Sequence, residues 1–285
     1  MDKILLAGAS GTLGMEVLKI LSQNGHQVRA MIHEDKHIEE IRRFTDDIVV
    51  FDVQNPIHEI GVFENINILI SSIGKSVSIF RSTDGTYDSI DFHGNKNLFE
   101  QASNAGVKRG IFVSIMGASE ENSLELAQVH YKAEKALADN FKNYTIIRPA
   151  GFFGGLHDLI KMGKAGVIPV IGDGMPKTNS IYQGDLAKLI FENLNSGPEI
   201  MEVGGPKIHT RLEMAEMIQR KTGGEILKVP NAAAKGSILP LSVFKPELFH
   251  NMDYFRFVSS KDMIGEKHGT LSFEEYLDQL DLSQI

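Results

Sequence analysis

The first segment that could do chemistry is a run of small residues directly after a short apolar stretch. Glycine recurs every third residue in Gly8-Ala9-Ser10-Gly11-Thr12-Leu13-Gly14. Glycine permits a tight turn, lets the backbone approach a pyrophosphate closely, and lets the next helix pack against a sheet. The phosphates would then meet free N–H groups at the positive end of that helix. The segment predicts a dinucleotide-binding loop formed by Gly8, Ser10, Gly11, Thr12, Leu13 and Gly14.

The end of the second predicted strand bears on the choice between NAD and NADP. An NAD site usually has an acidic side chain there for the ribose, whereas an NADP site offers basic groups to the 2′-phosphate. Arg29 and His33 share one face of this strand, and apolar Ile32 stands where an acid would be expected. NADP is therefore favoured. NAD stays open, because Glu34 could turn toward a ribose, and Arg29 could equally be a solvated surface residue.

The elements that must position this loop follow from apolar runs that alternate with helix-like stretches up to about Arg148. Continuous apolar strands separated by helices indicate an α/β Rossmann domain with a doubly wound parallel sheet. Helices are predicted from Thr12 to Ser22 and from Gly94 to Ala105, and a βαβ unit therefore surrounds the glycines. The predicted strands are Ile4 to Ala7, Gln27 to Ile32, Ile48 to Phe51, Ile66 to Ser71, Gly110 to Ser114 and Tyr144 to Ile147.

The chain changes character after Pro149, where glycine and proline become frequent and predict irregular structure on the substrate side. Thr210-Arg211-Leu212-Glu213 has the form of a capping box, so a helix should begin there. The stretch from Ile238 to Phe257 is too apolar for a free linker and is expected to pack beside the site. We predict an NAD(P)-binding domain over residues 1–150 and a smaller substrate-side region over 151–285 that partly returns to the Rossmann core.

Composition excludes several classes of function. The chain has 285 residues and a formal net charge of -8, so its surface should repel nucleic acid and anionic lipid. With no cysteine, disulfides, cysteine-ligated zinc and thiol catalysis are excluded, and the scattered histidines predict no metal. The first apolar run is too short for a signal peptide or a membrane span. We therefore expect a cytoplasmic protein without nucleic-acid or membrane partners.

Several segments together resemble the atypical and extended short-chain dehydrogenase/reductase superfamily, especially its NmrA-like NAD(P)-binding branch. The resemblance extends from the first residues to about Pro230. Besides the glycine loop, it is carried by Gly25 to Ala30, Phe51 to Val53, Ser71 to Gly74, Val113 to Ala118, Thr145 to Pro149, Gly184 to Ala187 and Val203 to Pro206. It implies that Asp52 and Val53 lie near the adenine, that Ser71, Ser72, Ile73 and Gly74 border the cofactor, and that Ser114 stands near the nicotinamide. Asp52 could instead cap a strand end, and Ser114 could bond only to neighbouring backbone.

The resemblance also implies a catalytic set. In catalytic members of the superfamily a tyrosine acts as general acid or base, and a lysine four residues later assists it from the same helix face. Tyr131 and Lys135 have this spacing, and Ser114 would complete the set. Counted back from Thr145 to Pro149, however, the usual lysine position falls on His130 and the tyrosine position on Leu126. His130 is therefore an alternative acid/base group, and the Tyr131 pair could face away from the cleft.

The function implied by the resemblance is an NAD(P)-dependent oxidoreductase that acts on a small organic substrate. A second interpretation is a regulator or assembly factor that binds NADP(H) but has lost catalysis, as the displaced Tyr131 spacing suggests. A third is a sugar-nucleotide epimerase or dehydratase, which would keep its cofactor bound and turn over without net oxidation.

Overall fold

The computed structural model describes residues 2–55, 60–81 and 83–285. The chain divides into two compact units. The first unit comprises Met1–Lys75, Gly85–Arg148 and Gln183–Met201, and the second comprises Ser76–Asp84, Pro149–Tyr182 and Glu202–Ile285.

The strands and helices are numbered in chain order. The strands are β1 (Lys3–Ala7), β2 (Gln27–Ile32), β3 (Ile48–Val50), β4 (Ile68–Ser71), β5 (Arg109–Val113), β6 (Tyr144–Pro149), β7 (Val167–Ile171), β8 (Lys177–Thr178), β9 (Ile200–Gly204), β10 (His209–Thr210), β11 (Glu225–Val229) and β12 (Glu266–Lys267). The α-helices are α1 (Thr12–Gln23), α2 (Ile38–Ile41), α3 (Asn95–Asn104), α4 (Glu125–Asn140), α5 (His157–Lys164), α6 (Gln183–Glu192), α7 (Arg211–Thr222), α8 (Asn231–Ile238), α9 (Leu241–Phe244), α10 (Pro246–Ser259) and α11 (Phe273–Gln279). Short 3-10 helices cover Asp35–His37, Ile60–Phe63, Phe153–Leu156 and Leu282–Gln284, and a π-helix covers Asp88–Gly94.

The central sheet has the strand order β12-β9-β6-β5-β4-β1-β2-β3. Strand β1 pairs in parallel with β2 and with β4, and β5 pairs in parallel with β4 and β6. Every residue of β5 and four of the five residues of β1 are buried, because helices cover both faces of the sheet. The predicted α/β Rossmann fold with a doubly wound, mostly parallel sheet is confirmed. The strand order reverses between β1 and β4, and the carboxyl ends of these two strands are the usual ligand-binding crevice of such sheets.

The segment before α3 departs from the sequence-based expectation. A single helix was expected from Gly94, but a seven-residue π-helix, Asp88–Gly94, precedes Asn95 without a break. The end of the π-helix passes close to Val53. Glycine is suited to position 94 because a Cβ there would lie only 2.8 Å from Cγ2 of Val53. π-Helical turns are rare and often found at functional sites. This one carries Asp91, whose side chain is buried.

The second unit contains more regular structure than expected. The glycine-rich stretch after Pro149, predicted to be irregular, includes helix α5 and strand β7, which pairs in parallel with β11. That prediction was wrong because Leu159, Ile160 and Ile168 join a core cluster that stabilises both elements. The predicted capping box is present: Thr210 caps α7, and the Thr210 and Glu213 side chains each accept a hydrogen bond from the other residue's backbone N–H.

The apolar tail expected to pack beside the site forms helices α8, α9 and α10 in the second unit. Leu239, Val243 and Phe244 remain exposed. Within residues 2–55, 60–81 and 83–285, no helix is both long and apolar enough to cross a membrane.

Candidate functional site

The glycine loop lies between the carboxyl end of β1 and the first turn of α1. Gly8 has a φ of +82°, and a Cβ there would lie 2.9 Å from Oγ of Ser72. At Gly14 a Cβ would lie 2.0 Å from the carbonyl oxygen of Gly8, so only glycine fits. Gly11 is the N-cap of α1, and among the described residues no side chain caps this helix. The loop backbone therefore packs closely and leads directly into the first turn of α1. The free N–H groups at this helix N-terminus are suited to bind a pyrophosphate.

Other residues predicted for the loop have distinct settings. Thr12, the first residue of α1, is exposed, and Ser10 is half-buried. Leu13 points into the core and is buried. Of the loop residues, the side chains of Ser10 and Thr12 are therefore the polar groups that could reach a ligand.

The segment Ser71 to Gly74 follows β4, beside the glycine loop. The Ser72 backbone N–H donates to the Ala7 carbonyl over 3.0 Å, and its Oγ donates to the same oxygen over 3.1 Å. Buried Ser71 points inward, where its Oγ donates to Oδ1 of Asn95 over 2.6 Å. Gly74 is exposed, and half-buried Ile73 packs on the core. The structure therefore brings Ser72 into contact with the loop, and the position of the whole segment beside the cofactor stays a prediction.

The two basic residues of β2 have different surroundings. The Arg29 guanidinium donates from Nε to Oδ1 of Asp47 over 2.8 Å and from Nη1 to the carbonyl oxygens of Gly61 and Val62. Its side chain is only 14% exposed. Arg29 is engaged within the fold, so it is removed from the candidate cofactor site. His33, just past the carboxyl end of β2, is 56% exposed.

Asp52 follows β3 and faces His33, with 3.9 Å between its Oδ1 and Nδ1 of the ring. The same oxygen accepts the Gln54 backbone N–H over 3.0 Å, a local turn bond like those that aspartate commonly forms. Val53 packs against the hydrophobic core and against Gly94. Asp52 and His33 thus form a polar pair at the ends of neighbouring strands, where the ribose of a dinucleotide is usually bound.

Ser114, immediately after β5, belongs to a buried polar network. Its Oγ donates to Oε1 of Glu134 over 2.5 Å and lies 3.3 Å from Nδ1 of His130. Arg148 donates to both oxygens of Glu134, from Nε over 2.9 Å and from Nη2 over 2.5 Å. The Ser114 hydroxyl therefore bonds to side chains of α4.

His130 continues this network toward the π-helix. Its Nε2 lies 3.2 Å from Oδ1 of Asp91, and the other oxygen of Asp91 accepts the Lys75 backbone N–H over 3.1 Å. The His130 ring stacks on Phe112 with a centroid distance of 5.7 Å. Asp91, Ser114, His130 and Glu134 are each at most 5% exposed. Buried polar and charged groups of this kind are stable only when they are paired.

Tyr131 and Lys135 lie on another face of α4. Tyr131 is half-buried, Lys135 is exposed, and the Lys135 Nζ lies 5.8 Å from the centre of the Tyr131 ring. With Glu120, Gln128 and Lys132 they line a surface depression of about 280 Å³. Successive helical residues are rotated by about 100°, so the face that carries His130 and Glu134 is the one that meets Ser114. The structure does not bring Ser114 together with Tyr131 and Lys135.

Sequence reasoning missed Asp91 and Glu134. Glu134 could have been found, because it lies four residues after His130 and therefore shares its helix face. Asp91 had no such signal, since it reaches the site through the π-helix. Across the described parts of the chain, no group of three histidine, aspartate or glutamate residues is arranged to hold a metal ion.

Comparisons with known proteins agree with this geometry. A family model described as NAD(P)H-binding matches residues 8–197. The photosystem II assembly factor Ycf39 of Synechocystis sp. is 30% identical over 155 residues, 54% of this chain and 46% of that protein. The divinyl chlorophyllide a 8-vinyl-reductase of Cucumis sativus is 31% identical over 250 residues, covering 80% of this chain and 59% of that protein. The chain thus spans about half the length of these relatives.

A solved structure matches nearly the whole chain. The triphenylmethane reductase of Citrobacter sp., crystallised with NADP(H), superposes with a TM-score of 0.72 at 18% identity. The match covers 98% of this chain and 99% of that one. It shows a shared fold.

Proposed function

The chain belongs to the family of NAD(P)H-binding proteins, and on that premise we propose that it is an NAD(P)-dependent oxidoreductase of the atypical short-chain dehydrogenase/reductase type. Its substrate would be a small organic molecule. The observation that carries the proposal is the glycine loop, where a Cβ at Gly14 would collide with the Gly8 carbonyl. Such a loop keeps the close backbone approach that a dinucleotide pyrophosphate requires.

In this proposal each part of the site has one task. The N–H groups at the start of α1 bind the pyrophosphate, and Ser72 supports the loop from β4. Asp52 and His33 bind the adenosine ribose and its substituent. NAD(P)H, when bound, supplies the hydride. The resemblance implies that Ser114, which follows β5, stands near the nicotinamide and the substrate.

Two observations support NADP over NAD. His33 is exposed and basic, and Ile32 takes the place of the acid that an NAD site would use. Glu34, the alternative ribose ligand, pairs with Lys36. A hydrogen bond from Lys36 holds the pKa of the Glu34 carboxyl below its ordinary value. Glu34 therefore stays charged, but its charge is paired with that of Lys36. It would repel a 2′-phosphate only if this ion pair opened.

Calorimetric titration of the purified chain with NADPH and, separately, NADH tests this proposal. We expect NADPH to bind more tightly, and the His33→Gln variant to lose most of that preference. Consumption of NADPH is then followed with a triphenylmethane dye and with a panel of aldehydes as acceptors. If the folded chain, freed of carried-over cofactor, binds neither nucleotide, the proposal is wrong.

A second candidate function is cofactor binding without catalysis, as in a regulator or assembly factor. It is favoured by the geometry of α4, because Ser114 bonds to Glu134 while Tyr131 and Lys135 lie on another face. The relative from Synechocystis sp. is itself named an assembly factor. Such a protein would bind NADPH and consume none with any acceptor, and this outcome separates the two candidates.

The proposal includes the partners and location expected from the sequence. We propose that the protein acts in the cytoplasm on a small-molecule substrate. It would bind neither nucleic acid nor a membrane. The net charge of -8 supports the exclusion of nucleic acid.

A further inference from the structure

We propose that a depression in the second unit binds the substrate, and that this substrate is a small organic anion with an aromatic or other apolar body. The depression has a volume of about 420 Å³. Small-molecule sites usually enclose about 300–1,000 Å³. It is lined by four consecutive residues, Ser78 to Arg81, and by residues from the start of α10. This inference rests on the proposed oxidoreductase function and names the substrate class that the proposal left open.

The wall formed by Ser78 to Arg81 is held in place by two helices. Asp158 of α5 accepts the Ser78 hydroxyl over 3.0 Å and the Ile79 backbone N–H over 2.7 Å. Asn251 of α10, which is only 2% exposed, donates to the Ser78 carbonyl oxygen over 2.8 Å. The wall is therefore fixed before a ligand arrives, and a fixed wall reduces the entropy that is lost on binding.

The apolar part of the lining offers a surface for a ring or a hydrocarbon body. Phe80 is 55% exposed, so its ring is accessible to a ligand. Ile79, Pro246 and Leu248 are the other apolar side chains of the lining. Aromatic rings that pack on one another are stabilised beyond the burial of their surface. The lining therefore favours a ligand with an aromatic or similarly apolar body.

The charged part of the lining favours an anion. Arg81 and Lys245 are exposed, and among the residues that the structure describes neither forms an ion pair. The carboxylate of the lining, Glu247, accepts the Thr83 backbone N–H over 3.2 Å. The lining thus holds two cations and one anion, on a chain whose net charge is -8. A guanidinium and an ammonium are suited to bind a carboxylate or another small anionic group.

The place of this wall in the chain is the reason for assigning the substrate to the depression. The Ser72 hydroxyl bonds to the carbonyl oxygens of Ala7 and Gly8 in the proposed cofactor loop. The second unit begins at Ser76, two residues before Ser78. One short stretch of chain therefore connects the proposed cofactor loop to the wall of the depression.

The first test measures binding without turnover. The full chain is titrated calorimetrically with naphthoate, an aromatic ring system that bears a carboxylate, and with naphthamide, its uncharged counterpart. We expect naphthoate to bind about tenfold more tightly at low salt, because two partly exposed ion pairs would form. This preference should fall as added salt screens the charges. Equal affinities at low salt overturn the proposal.

Variants of the two cations locate the anion. Arg81→Gln and Lys245→Gln should each lower the naphthoate affinity by about two- to fivefold, as loss of an exposed ion pair does, and leave naphthamide unchanged. The double variant should lose the preference for the acid. Lys228→Gln is the matched control, since Lys228 is an exposed lysine of the same unit outside the lining. Equal losses in the control would mean that net charge alone attracts naphthoate, and they overturn the proposal.

The apolar body is tested at Phe80. Phe80→Ala should weaken naphthoate and naphthamide by the same factor, about two- to tenfold, because the ring would contact the part that both ligands share. Wild-type affinities in this variant overturn the proposed site. Titrations of naphthoate are repeated with saturating NADPH, which should leave its affinity unchanged. Competition between them would place naphthoate in the dinucleotide site and also overturn the proposal.

The second test follows NADPH consumption with two aldehydes. The first is para-formylbenzoate, an anion, and the second is its methyl ester, which is uncharged. KM should be lower for the acid, and Arg81→Gln should raise it by about two- to fivefold without changing kcat or the KM of the ester. A structural defect would affect both aldehydes alike. Equal KM values in the wild type overturn the assigned substrate class.

The two tests separate this inference from the proposed function on which it rests. If naphthoate binds as expected and NADPH binds, but no acceptor is reduced, the oxidoreductase proposal fails and the depression is an anion site without turnover. If both aldehydes are reduced with equal KM and naphthoate binds no better than naphthamide, the oxidoreductase function stands and this inference is wrong.

Discussion

At the residue scale, Gly14 shows how one carbon atom decides whether the cofactor loop can form. A Cβ there would lie 2.0 Å from the Gly8 oxygen, a backbone atom that cannot move without opening the turn. We expect Gly14→Ala to weaken NADPH binding at least tenfold. Gly236→Ala is the matched control, because nothing lies within 4 Å of its added Cβ and alanine favours its helix. Titration calorimetry of both variants checks this, and unchanged binding in Gly14→Ala would contradict the proposed loop.

Substitutions of Arg29 and His33 test which of these basic side chains sets the preference for NADPH over NADH. Replacing Arg29 by methionine removes charged hydrogen bonds to Asp47, Gly61 and Val62, and should cost about 1–3 kcal/mol in the free energy of unfolding. The ratio of NADPH to NADH affinity should stay unchanged. His33→Gln should do the reverse, lowering that ratio without loss of stability. A selectivity change in the Arg29 variant would return that residue to the site.

These residues also show what the sequence could predict. The glycine loop was predictable because its steric demand is local and the required residues are adjacent in the chain. The hydrogen bonds of Arg29 within the fold were not predictable, because strand alternation gives its face and not its partner, Asp47, which lies 18 residues away. Asp91 was missed for the same reason, since its role exists only after β5, α4 and the π-helix have packed together. Glu134 could have been found, because its spacing from His130 places both residues on one face of α4.

At the element scale, the capping box at the start of α7 should contribute measurable stability. The Glu213 backbone N–H donates to Oγ1 of Thr210 over 3.1 Å, and the Thr210 N–H donates to Glu213 over 2.7 Å. Thr210→Ala removes one of these bonds and should cost about 1 kcal/mol. Thr210→Ser keeps the hydroxyl and should cost much less. Urea unfolding of the two variants measures the difference, and equal losses would show that the cap bond contributes nothing.

An ion cluster joins β1 and β2 to the residue before β3, and it predicts a pH dependence. Burial opposes ionisation of Asp47, but hydrogen bonds from Arg29 and Lys3 outweigh it and lower the pKa of this carboxyl. A lowered pKa in the folded state stabilises above the unfolded value of about 3.9, and this contribution is lost as the pH falls through the folded value.

Asp47→Asn should therefore reduce the free energy of unfolding at neutral pH by about 1 kcal/mol or less, since the pair is partly exposed. The difference from wild type should shrink as the pH falls below about 3.9. Denaturant unfolding at neutral and acid pH measures it. A difference that stays constant with pH would mean that the Asp47 charge does not contribute.

The predictability of whole elements depended on how local their signals are. Strand β2 was predicted with its observed ends, because its apolar run is bounded by polar residues. The π-helix was not predicted, since its hydrogen-bond spacing leaves no distinct apolar period in seven residues. Helix α5 was not predicted because glycines surround it in the sequence. Its buried Leu159 and Ile160 belong to the same core cluster as residues of α7, a contact that the local sequence does not reveal.

At the scale of the whole molecule, the order of strands and helices predicted the fold because a Rossmann sheet is built from repeated local βαβ units. The division into units was harder to predict. The chain leaves the first unit after Arg148 and returns to it for Gln183–Met201. A break of this kind depends on contacts between distant segments, and neither composition nor turn residues mark it.

Cofactor binding should stabilise the fold in proportion to the affinity of each nucleotide. A ligand that binds only the folded state adds RT ln(1 + [L]/Kd), about 2.7 kcal/mol at one hundred times Kd. For 150–250 residues each kcal/mol raises Tm by about 2–4 °C. Thermal unfolding should therefore shift upward with NADPH, and less with equimolar NADH. In His33→Gln the two shifts should converge, because the proposed 2′-phosphate contact is absent. In Gly14→Ala both shifts should shrink together, because both nucleotides need the same pyrophosphate loop. If the two variants gave the same pattern, the loop and the ribose end would not be separate parts of one cofactor site.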